Sequence, residues 1–289
     1  MNVRKKIESD IRAKWPNEQT HFTPWLSDNL NHLSSALDYC LDLEAMEKEV
    51  GPYRADIVAR IAGSDDLVVI ENQLTHADPR HLGQLVTYTA RLKAKIGVWV
   101  TPGYWYTNIC AIRSLNRHLP ASAGFFAVRL SLSKRQSEKQ CPEFHVIEHP
   151  KKWQDPVARK FWAFLNDQLP DIPRPSFNPG SNLRRGRFEV EQVGLQIVQH
   201  FEADFVRVYI TGSGVESNRD LKSRINLHRP ALVASLRESD FLIAEDPYCV
   251  SRLEVNAHDP DNWMEIVEWL DSQRRTYEQV LREGAVEKQ

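Results

Sequence analysis

The sequence predicts a two-domain α/β protein, with a central mixed sheet flanked by helices and then a smaller α+β domain. Strand-like and helical segments alternate in the first half of the chain, as in α/β folds. Residues 169–182 hold four prolines and few apolar residues, and the order of elements changes after them. The length of 289 residues fits about two domains of ordinary size. We therefore assign residues 1–168 to the first domain, 169–182 to a linker and 183–289 to the second domain.

Composition restricts the function classes. Basic and acidic residues nearly balance, at a net charge of −2, so no global field would attract a polyanion and only a local basic face could bind one. The four cysteines are scattered without a C-x-x-C pair, which predicts reduced structural thiols. No apolar run approaches the roughly 20 residues of a membrane span. The first 15 residues form a basic amphipathic helix candidate without an apolar signal core, so we expect a cytoplasmic protein.

The elements of the first domain follow from apolar period and from cap residues. Leucines recur at helical spacing through residues 22–43, and Thr23-Pro24 is a suitable helix start. The later segments are predicted as strands at 44–50, 55–61 and 67–73, a helix from 79, a strand at 96–101, a helix at 104–118, strands at 124–132 and 144–148, and a helix at 155–168.

The strands at 55–61 and 67–73 form a predicted hairpin that ends in polar residues. If Ala62 pairs with Leu67, Asp56 lies opposite Gln73 and diagonal to Glu71, because side chains alternate along a strand. Two carboxylates at the end of an apolar strand pair repel each other and lose hydration. A divalent cation bound between them would remove the repulsion and compensate for the lost hydration, and oxygen ligands favour Mg or Mn. The hairpin by itself is also consistent with a strand that only leaves the core, with its carboxylates solvated or paired to arginine.

The helix after the hairpin carries a second polar group. Asp78 suits the N-cap and Pro79 the first helical position. His81, Gln84 and Tyr88 lie at i, i+3 and i+7, on a stripe separate from the apolar one. The strand, helix, strand order predicts a right-handed crossover and a parallel strand pair.

The second domain has a different order of elements. Residues 187–200 are ambiguous between strand and helix. The remaining segments are predicted as a strand at 205–211, helices at 217–229 and 230–238, a strand at 251–257 and a long amphipathic helix at 262–283.

The pattern of Asp56, then Glu71-x-Gln73, then Gln84 and Tyr88 on the next helix resembles the PD-(D/E)XK nuclease superfamily. The phrases HLGQLVTYTARL and FTPWLSDNL look like one bacterial branch, in which a C-terminal domain of unknown function follows the nuclease-like domain. The resemblance covers nearly the whole chain and implies that the central mixed sheet of the first domain is restriction-endonuclease-like.

The resemblance implies roles for individual residues. Asp56 and Glu71 would be metal ligands with the backbone carbonyl of Asn72, and the ion, Mg or Mn, would activate a water and stabilise charge on the scissile phosphate. Weaker acidic candidates are Glu18, near the first helix, and Glu49, on the strand before the hairpin. The residues expected to contact nucleic acid lie on one helix: Arg80, His81, Gln84 and Tyr88.

Gln73 departs from the family pattern, because lysine is usual at this position. Glutamine can orient a water but brings no charge, and loss of one such electrostatic group typically costs ~10²–10³ in rate. A second ion, Arg80 or His81 would offset part of this loss. We expect Gln73 to act as a third catalytic residue; the alternative is a nuclease-fold protein that binds nucleic acid or partner proteins without cleavage.

The expected function is metal-dependent hydrolysis of DNA phosphodiesters, in bacterial DNA processing or phage defence, and this setting comes only from the resemblance. The sequence leaves open single-stranded, branched and duplex DNA, and also a homodimer formed through the C-terminal helix. The aromatic residues of the fourth strand and the loop after it are expected in the core and at its rim: Trp99, Tyr104 and Trp105.

Overall fold

The computed structural model describes residues 3–62, 64–120, 123–134, 140–150, 155–177, 183–212, 216–236 and 247–286. The chain divides into two compact units, Met1–Trp153 and Gln154–Gln289. The first has a six-stranded mixed sheet flanked by helices and the second a four-stranded antiparallel sheet with helices, which confirms the predicted fold class. None of the helices in the described ranges offers an apolar stretch of bilayer-spanning length.

The first unit contains six strands and five helices within its described residues. The strands are β1 (Leu41–Val50), β2 (Tyr53–Ile61), β3 (Leu67–Asn72), β4 (Ile96–Thr101), β5 (Gly124–Lys134) and β6 (Gln140–Glu148). The helices are α1 (Val3–Lys14), α2 (Thr23–Asp28), α3 (Leu30–Leu37), α4 (Pro79–Arg91) and α5 (Tyr106–His118). The strands lie in chain order across the sheet, and only the β3–β4 and β4–β5 pairs are parallel. The predicted parallel pair around α4 is therefore confirmed.

The predicted single helix over residues 22–43 is wrong. Asn29 (φ −127°, ψ 36°) separates α2 from α3, and Asp38 ends α3 in the left-handed conformation. Leu41, whose spacing matches the helix, instead pairs with Ile61 at the start of β1. Cross-strand pairing therefore overrides the helical period in this segment.

Apolar side chains cover both faces of the large sheet. Neighbouring residues of a strand face opposite sides, so Ile57 and Ile70 pack toward one layer of helices while Val58 and Val69 pack toward the other. The first layer contains apolar residues of α1–α3: Ile11, Leu26, Leu30, Leu33 and Leu37. The second contains residues of α4 and α5: Leu85, Tyr88, Ile109 and Ile112.

The second unit is an antiparallel sheet with four helices in its described residues. The strands are β7 (Arg185–Val190), β8 (Leu195–Phe201), β9 (Phe205–Gly212) and β10 (Ser251–Glu254). The helices are α6 (Pro156–Gln168), α7 (Asn218–Asn226), α8 (Arg229–Ser235) and α9 (Trp263–Val286). The ambiguous segment 187–200 forms two paired strands, because a short 3-10 turn ends at Gly194 with φ 60° and reverses the chain.

Helix α6 lies in the second unit, although the sequence analysis assigned it to the first domain. Its Phe161 ring stacks on Phe201 with centroids 4.5 Å apart, and Trp263 meets the same ring edge-on at 5.8 Å. The aromatic face of α6 therefore belongs to the core of the second sheet, and the chain divides ahead of this helix. Residues 178–182 of the proposed linker lie outside the described residues.

Candidate metal-binding carboxylate site

The β2–β3 hairpin forms with a register two residues away from the predicted one. Arg60 pairs with Leu67, where the sequence analysis placed Ala62. The Ala62 amide instead donates to the Cys40 carbonyl over 2.8 Å, so Ala62 bonds to the segment before β1 and not to β3. The register was predicted from the residues of the turn, which give no indication of this competing hydrogen bond.

The two-residue shift keeps every side chain on its predicted face, because strand side chains alternate with a period of two. The hairpin register pairs Ile57 with Ile70, and one further step sets Asp56 directly opposite Glu71, where the prediction had them diagonal. The Asn72 amide donates to Asp56 Oδ2 over 2.9 Å across the two strands. The two acidic side chains therefore meet on the α4 side of the sheet.

Glu71 is buried and Asp56 is half-buried. Glu71 is only 3% exposed, and its Oε2 has no hydrogen-bond partner among the described residues. Burial, followed by repulsion from Asp56, raises the pKa of Glu71 to about 9. Burial also raises the pKa of Asp56 to about 7, against the opposing effect of the Asn72 hydrogen bond, and Glu18 and Glu47 add further repulsion at both groups.

Glu18, a weak candidate from sequence, reaches this site. It begins a single π-helical turn, Glu18–Phe22, whose N-cap Asn17 accepts a hydrogen bond from Thr20. Glu18 Oε2 accepts a hydrogen bond from the Leu74 amide over 2.8 Å. Burial raises the pKa of this carboxyl as well. The turn before α2 therefore adds a third acidic group at the end of β3.

Glu47 faces the site and Glu49 does not. Glu49 is exposed, with 79% of its side chain accessible, and pairs with Arg54 at 3.6 Å. Glu47 has a φ of 48°, and its buried Oε1 has no hydrogen-bond partner in the described part of the chain. Alternation puts both glutamates on one face of β1, but Glu47 lies between the Met46–Ile57 and Lys48–Ala55 pairs, level with Asp56, whereas Glu49 lies opposite Arg54.

Gln73 is fully buried, and its amide group is used within the protein. Its Oε1 accepts a hydrogen bond from Trp99 Nε1 over 2.9 Å. Its Nε2 donates to the His76 carbonyl over 2.9 Å and to Thr75 Oγ1 over 3.2 Å. This geometry makes Gln73 a residue that fixes the loop after β3, and its predicted catalytic role gains no support from it.

Helix α4 begins as predicted and brings a cation near Glu71. Asp78 Oδ1 accepts hydrogen bonds from the Arg80 and His81 amides, over 2.9 and 3.2 Å. The Arg80 charge opposes the rise in the pKa of Glu71. His81 Nδ1 lies 3.1 Å from Asp78 Oδ2. Of the two cationic candidates, Arg80 therefore acts on the carboxylate pair, whereas His81 is engaged by the cap.

The predicted separation of Tyr88 from the apolar stripe of α4 is wrong. Tyr88 is 1% exposed and belongs to the same core layer as Leu85, so its ring is not a surface for a ligand. Its hydroxyl accepts a hydrogen bond from Gln84 Nε2 over 3.2 Å, and its ring lies 6.5 Å from Tyr53. Only the polar end of the Gln84–Tyr88 pair can take part in binding.

The donor set fits a hard divalent ion. Among the described residues, no three His, Cys, Asp or Glu side chains form a ready-made metal cluster. Mg²⁺ keeps several waters and is commonly bound through one or two carboxylates, and Mn²⁺ accepts the same oxygen ligands. Asp56 and Glu71, with its unpartnered Oε2, supply that minimum. The Asn72 carbonyl stays a prediction as a third ligand.

Comparison of the chain with protein-family models, with curated proteins and with solved structures gave no match. The resemblance to the PD-(D/E)XK superfamily therefore stays a prediction from the motif residues. Function has to follow from the geometry and chemistry of the site itself.

Proposed function

We propose that this protein is a Mg- or Mn-dependent nuclease that hydrolyses DNA phosphodiester bonds. The observation that carries the proposal is the pair of carboxyl groups of half-buried Asp56 and buried Glu71, opposed on neighbouring strands, with Glu71 Oε2 unpartnered among the described residues. Two such groups disfavour charge in each other, and perturbed carboxyl pairs of this kind are concentrated at functional sites. A cation between them would remove the repulsion and use the open oxygen.

The side chains of this site have separable roles in the proposed reaction. The bound ion would supply a water of lowered pKa and positive charge for the phosphate. Asp56 and Glu71 would hold it, and the Asn72 amide orients Asp56 through the 2.9 Å hydrogen bond. Glu18 adds negative charge at the edge of the site while its Oε2 is bonded to Leu74.

Arg80 replaces the positive charge that lysine would bring at position 73. It lies at the N-terminus of α4, where the helix dipole also favours an anion. Arg80, together with the exposed face of Gln84, would therefore contact the substrate backbone. Gln73 is a positioning residue in this proposal.

The biological setting is proposed from the resemblance alone: a bacterial cytoplasm, with DNA processing or phage defence as the process. DNA is the proposed partner. With a net charge of −2, binding has to come from local contacts and should weaken as salt rises. A homodimer through the C-terminal helix stays a prediction.

Cleavage of supercoiled plasmid by the full-length protein tests the proposal. Nicking in Mg²⁺ or Mn²⁺ that is lost in EDTA, in Asp56→Asn and in Glu71→Gln supports it. Glu49→Gln is the matched control, since it removes an exposed carboxylate of the preceding strand, and it should cleave at the parent rate. Nicking that survives in EDTA, or in both site variants, contradicts the proposal.

A second candidate is a nucleic-acid-binding protein that does not cleave. The observation that favours it is the burial of Gln73, whose amide is used by Trp99, Thr75 and His76 and leaves no lysine-like charge beside the carboxylates. Salt-dependent DNA binding without nicking in either metal, at any enzyme concentration, supports this candidate over the first. A protein-interaction module predicts no salt-dependent DNA binding.

A further inference from the structure

A cavity of about 390 Å³ opens beside the carboxyl ends of the parallel strands β4 and β5. Residues of α1, the loops after β3 and β4, the start of α5, β5 and β6 line it. Its chemistry is mixed, because aliphatic side chains such as Ile109 and Ile147 share it with aromatic rings and two arginines. Pockets at this edge of parallel sheets commonly bind ligands.

Three flat rings line the cavity, those of His76, Tyr104 and Tyr106. Tyr106 is the most accessible, with 76% of the residue exposed. His76 packs on Trp105 with ring centroids 4.4 Å apart, and the Arg4 guanidinium lies 4.9 Å from the centroid of the same Trp105 ring. Burial and the Arg4 charge lower the pKa of His76, so its ring is neutral at pH 7. The cavity therefore presents aromatic surface that a planar group can cover.

The two arginines differ in how they are used. Arg4 Nε bonds to Glu8 Oε1 over 3.2 Å, and the same carboxylate oxygen accepts the His76 amide over 3.0 Å. Arg129 is exposed, and within the described ranges its guanidinium makes no hydrogen bond or ion pair. Arg129 therefore leaves one uncompensated positive charge at the cavity.

The cavity lies within reach of the carboxylate pair. Arg129 pairs with Thr101 on β4, and Asn72, next to Glu71, pairs with Val100 on the other side of β4. Arg129 is thus two strands away from the end of β3, which is about 10 Å at the usual strand spacing. A single nucleic-acid strand can occupy both places at once.

We propose that this cavity holds one unpaired nucleotide of the substrate strand, with its base on Tyr106 and His76 and its phosphate beside Arg129. Aromatic stacking and an adjacent cation together are the usual means of binding single-stranded nucleic acid. A base within a duplex would first have to leave its stack. The preferred substrate is therefore DNA with a single-stranded segment next to the scissile bond, an inference that rests on the proposed nuclease function.

Equilibrium binding of the full-length protein tests this assignment. Fluorescein-labelled oligothymidylate and a blunt duplex of equal length are titrated by anisotropy in Ca²⁺, with gels to verify that both remain intact. We expect Tyr106→Ala and Arg129→Gln each to weaken oligothymidylate binding about tenfold and duplex binding less than about twofold. Tyr106→Phe keeps the ring and should bind as the parent does. Arg282→Gln, a matched loss of charge in the second unit, should leave both affinities unchanged.

A set of oligothymidylates, each with one abasic site at a different position, provides the decisive test. Binding to the parent should weaken when the abasic site is at one particular position, and the same oligonucleotide should cause no further loss in Tyr106→Ala. Equal losses for oligothymidylate and duplex would overturn the assignment, because they indicate only a general charge effect. Free thymidine monophosphate that competes as well as the oligonucleotide would also overturn it, in favour of a mononucleotide site. Failure to nick plasmid with the single-strand preference intact rejects the proposed cleavage and keeps the cavity as a binding site.

Discussion

Trp99 donates its indole hydrogen to the side-chain oxygen of Gln73 over 2.9 Å, and both residues are fully buried. An amide side chain can accept this bond while donating two others, whereas lysine has donors only. The position occupied by lysine in the family pattern is therefore adapted here to a buried hydrogen-bond network. Gln73 holds the loop after β3 through this network.

Gln73→Lys should destabilise the protein and should not activate it. The lysine ammonium can still donate to the His76 carbonyl, but the buried Trp99 donor loses its acceptor, at a cost of about 1–3 kcal/mol. Urea unfolding of the parent and of Gln73→Lys measures this loss of stability. In a Trp99→Phe background the penalty should shrink, because the donor is already absent. An increase in nicking at unchanged stability would contradict the structural role of Gln73.

Glu71→Gln should stabilise the metal-free protein while removing its response to metal. Folding of the parent at neutral pH requires Glu71 to take up a proton, whereas the amide is neutral in both states, so we expect a gain on the order of 2 kcal/mol. Thermal unfolding in EDTA and in Mn²⁺ measures both effects. The parent should melt at a higher temperature in Mn²⁺ than in EDTA, and the variant should melt at the same temperature in both. Glu49→Gln should retain the parent's Mn²⁺ response. Loss of that response would contradict the assignment of Mn²⁺ binding to Asp56 and Glu71.

The stability of the metal-free protein should fall as pH rises from about 5 to 9. The folded-state pKa of Glu71, about 9, and that of Asp56, about 7, lie above the values of 4.5 and 3.8 for the ordinary groups. The folded state therefore binds more protons than the unfolded state in this range. Each group contributes its full stability below its ordinary, unfolded-state pKa, and this contribution is lost as pH rises through its folded-state pKa. Melting curves across this range in EDTA check the slope, which Glu71→Gln should flatten.

Glu18→Gln should weaken metal binding by several-fold without unfolding the site. A glutamine oxygen can still accept the Leu74 amide, so the loop keeps its anchor while one negative charge leaves the neighbourhood of Asp56 and Glu71. Calorimetric titration with Mn²⁺ gives the affinity, and circular dichroism verifies the fold. An unchanged Mn²⁺ affinity would place Glu18 outside the ion's electrostatic environment.

The second unit should lose stability in acid. His200 Nδ1 accepts a hydrogen bond from Arg207 Nε over 3.0 Å, and its Nε2 lies 3.1 Å from Glu202 Oε1. Burial and the Arg207 charge hold the pKa of His200 well below 6.5, and the His200 contact and the Arg184 charge outweigh burial and lower the pKa of Glu202. Both groups bind fewer protons when folded, so their stability is lost as pH falls below about 6.5 and then about 4.5.

Hydrogen exchange from pH 7 to 4 separates this acid effect from changes in the first unit. Amides of β8 and β9 should lose protection first. His200→Gln, whose amide can accept from Arg207 and donate to Glu202, should delay that loss. Equal protection of β8 in the parent at pH 7 and pH 5 would contradict the assignment to His200.

Local signals predicted the parts of the site that depend on neighbouring residues in the chain. The Asp78 cap, the start of α4 at Pro79 and the bounds of β4 follow from residue chemistry over a few positions, and the structure agrees. The shared face of Asp56 and Glu71 also followed, since an even error in register does not change faces.

Features that depend on distant partners could not be predicted in the same way. The hairpin register was wrong because Ala62 bonds to Cys40, and the helix over 22–43 was wrong because Leu41 pairs with Ile61. Glu49 was the candidate named on β1, but it pairs with Arg54, and the β1–β2 register instead sets Glu47 level with Asp56. In each case a long-range contact decided between local alternatives that the sequence leaves nearly equal.

The hydrogen bonds from the Leu74 amide to Glu18 and from the His76 amide to Glu8 join residues 56 and 68 positions apart. Closing such long chain segments is entropically costly and is a late event in folding. The loop after β3 therefore reaches its final form only when the first helix has docked, so ion binding should report the completion of folding and not the formation of the sheet. A folding intermediate with an undocked first helix would expose this loop to proteases while the strands around it are already paired.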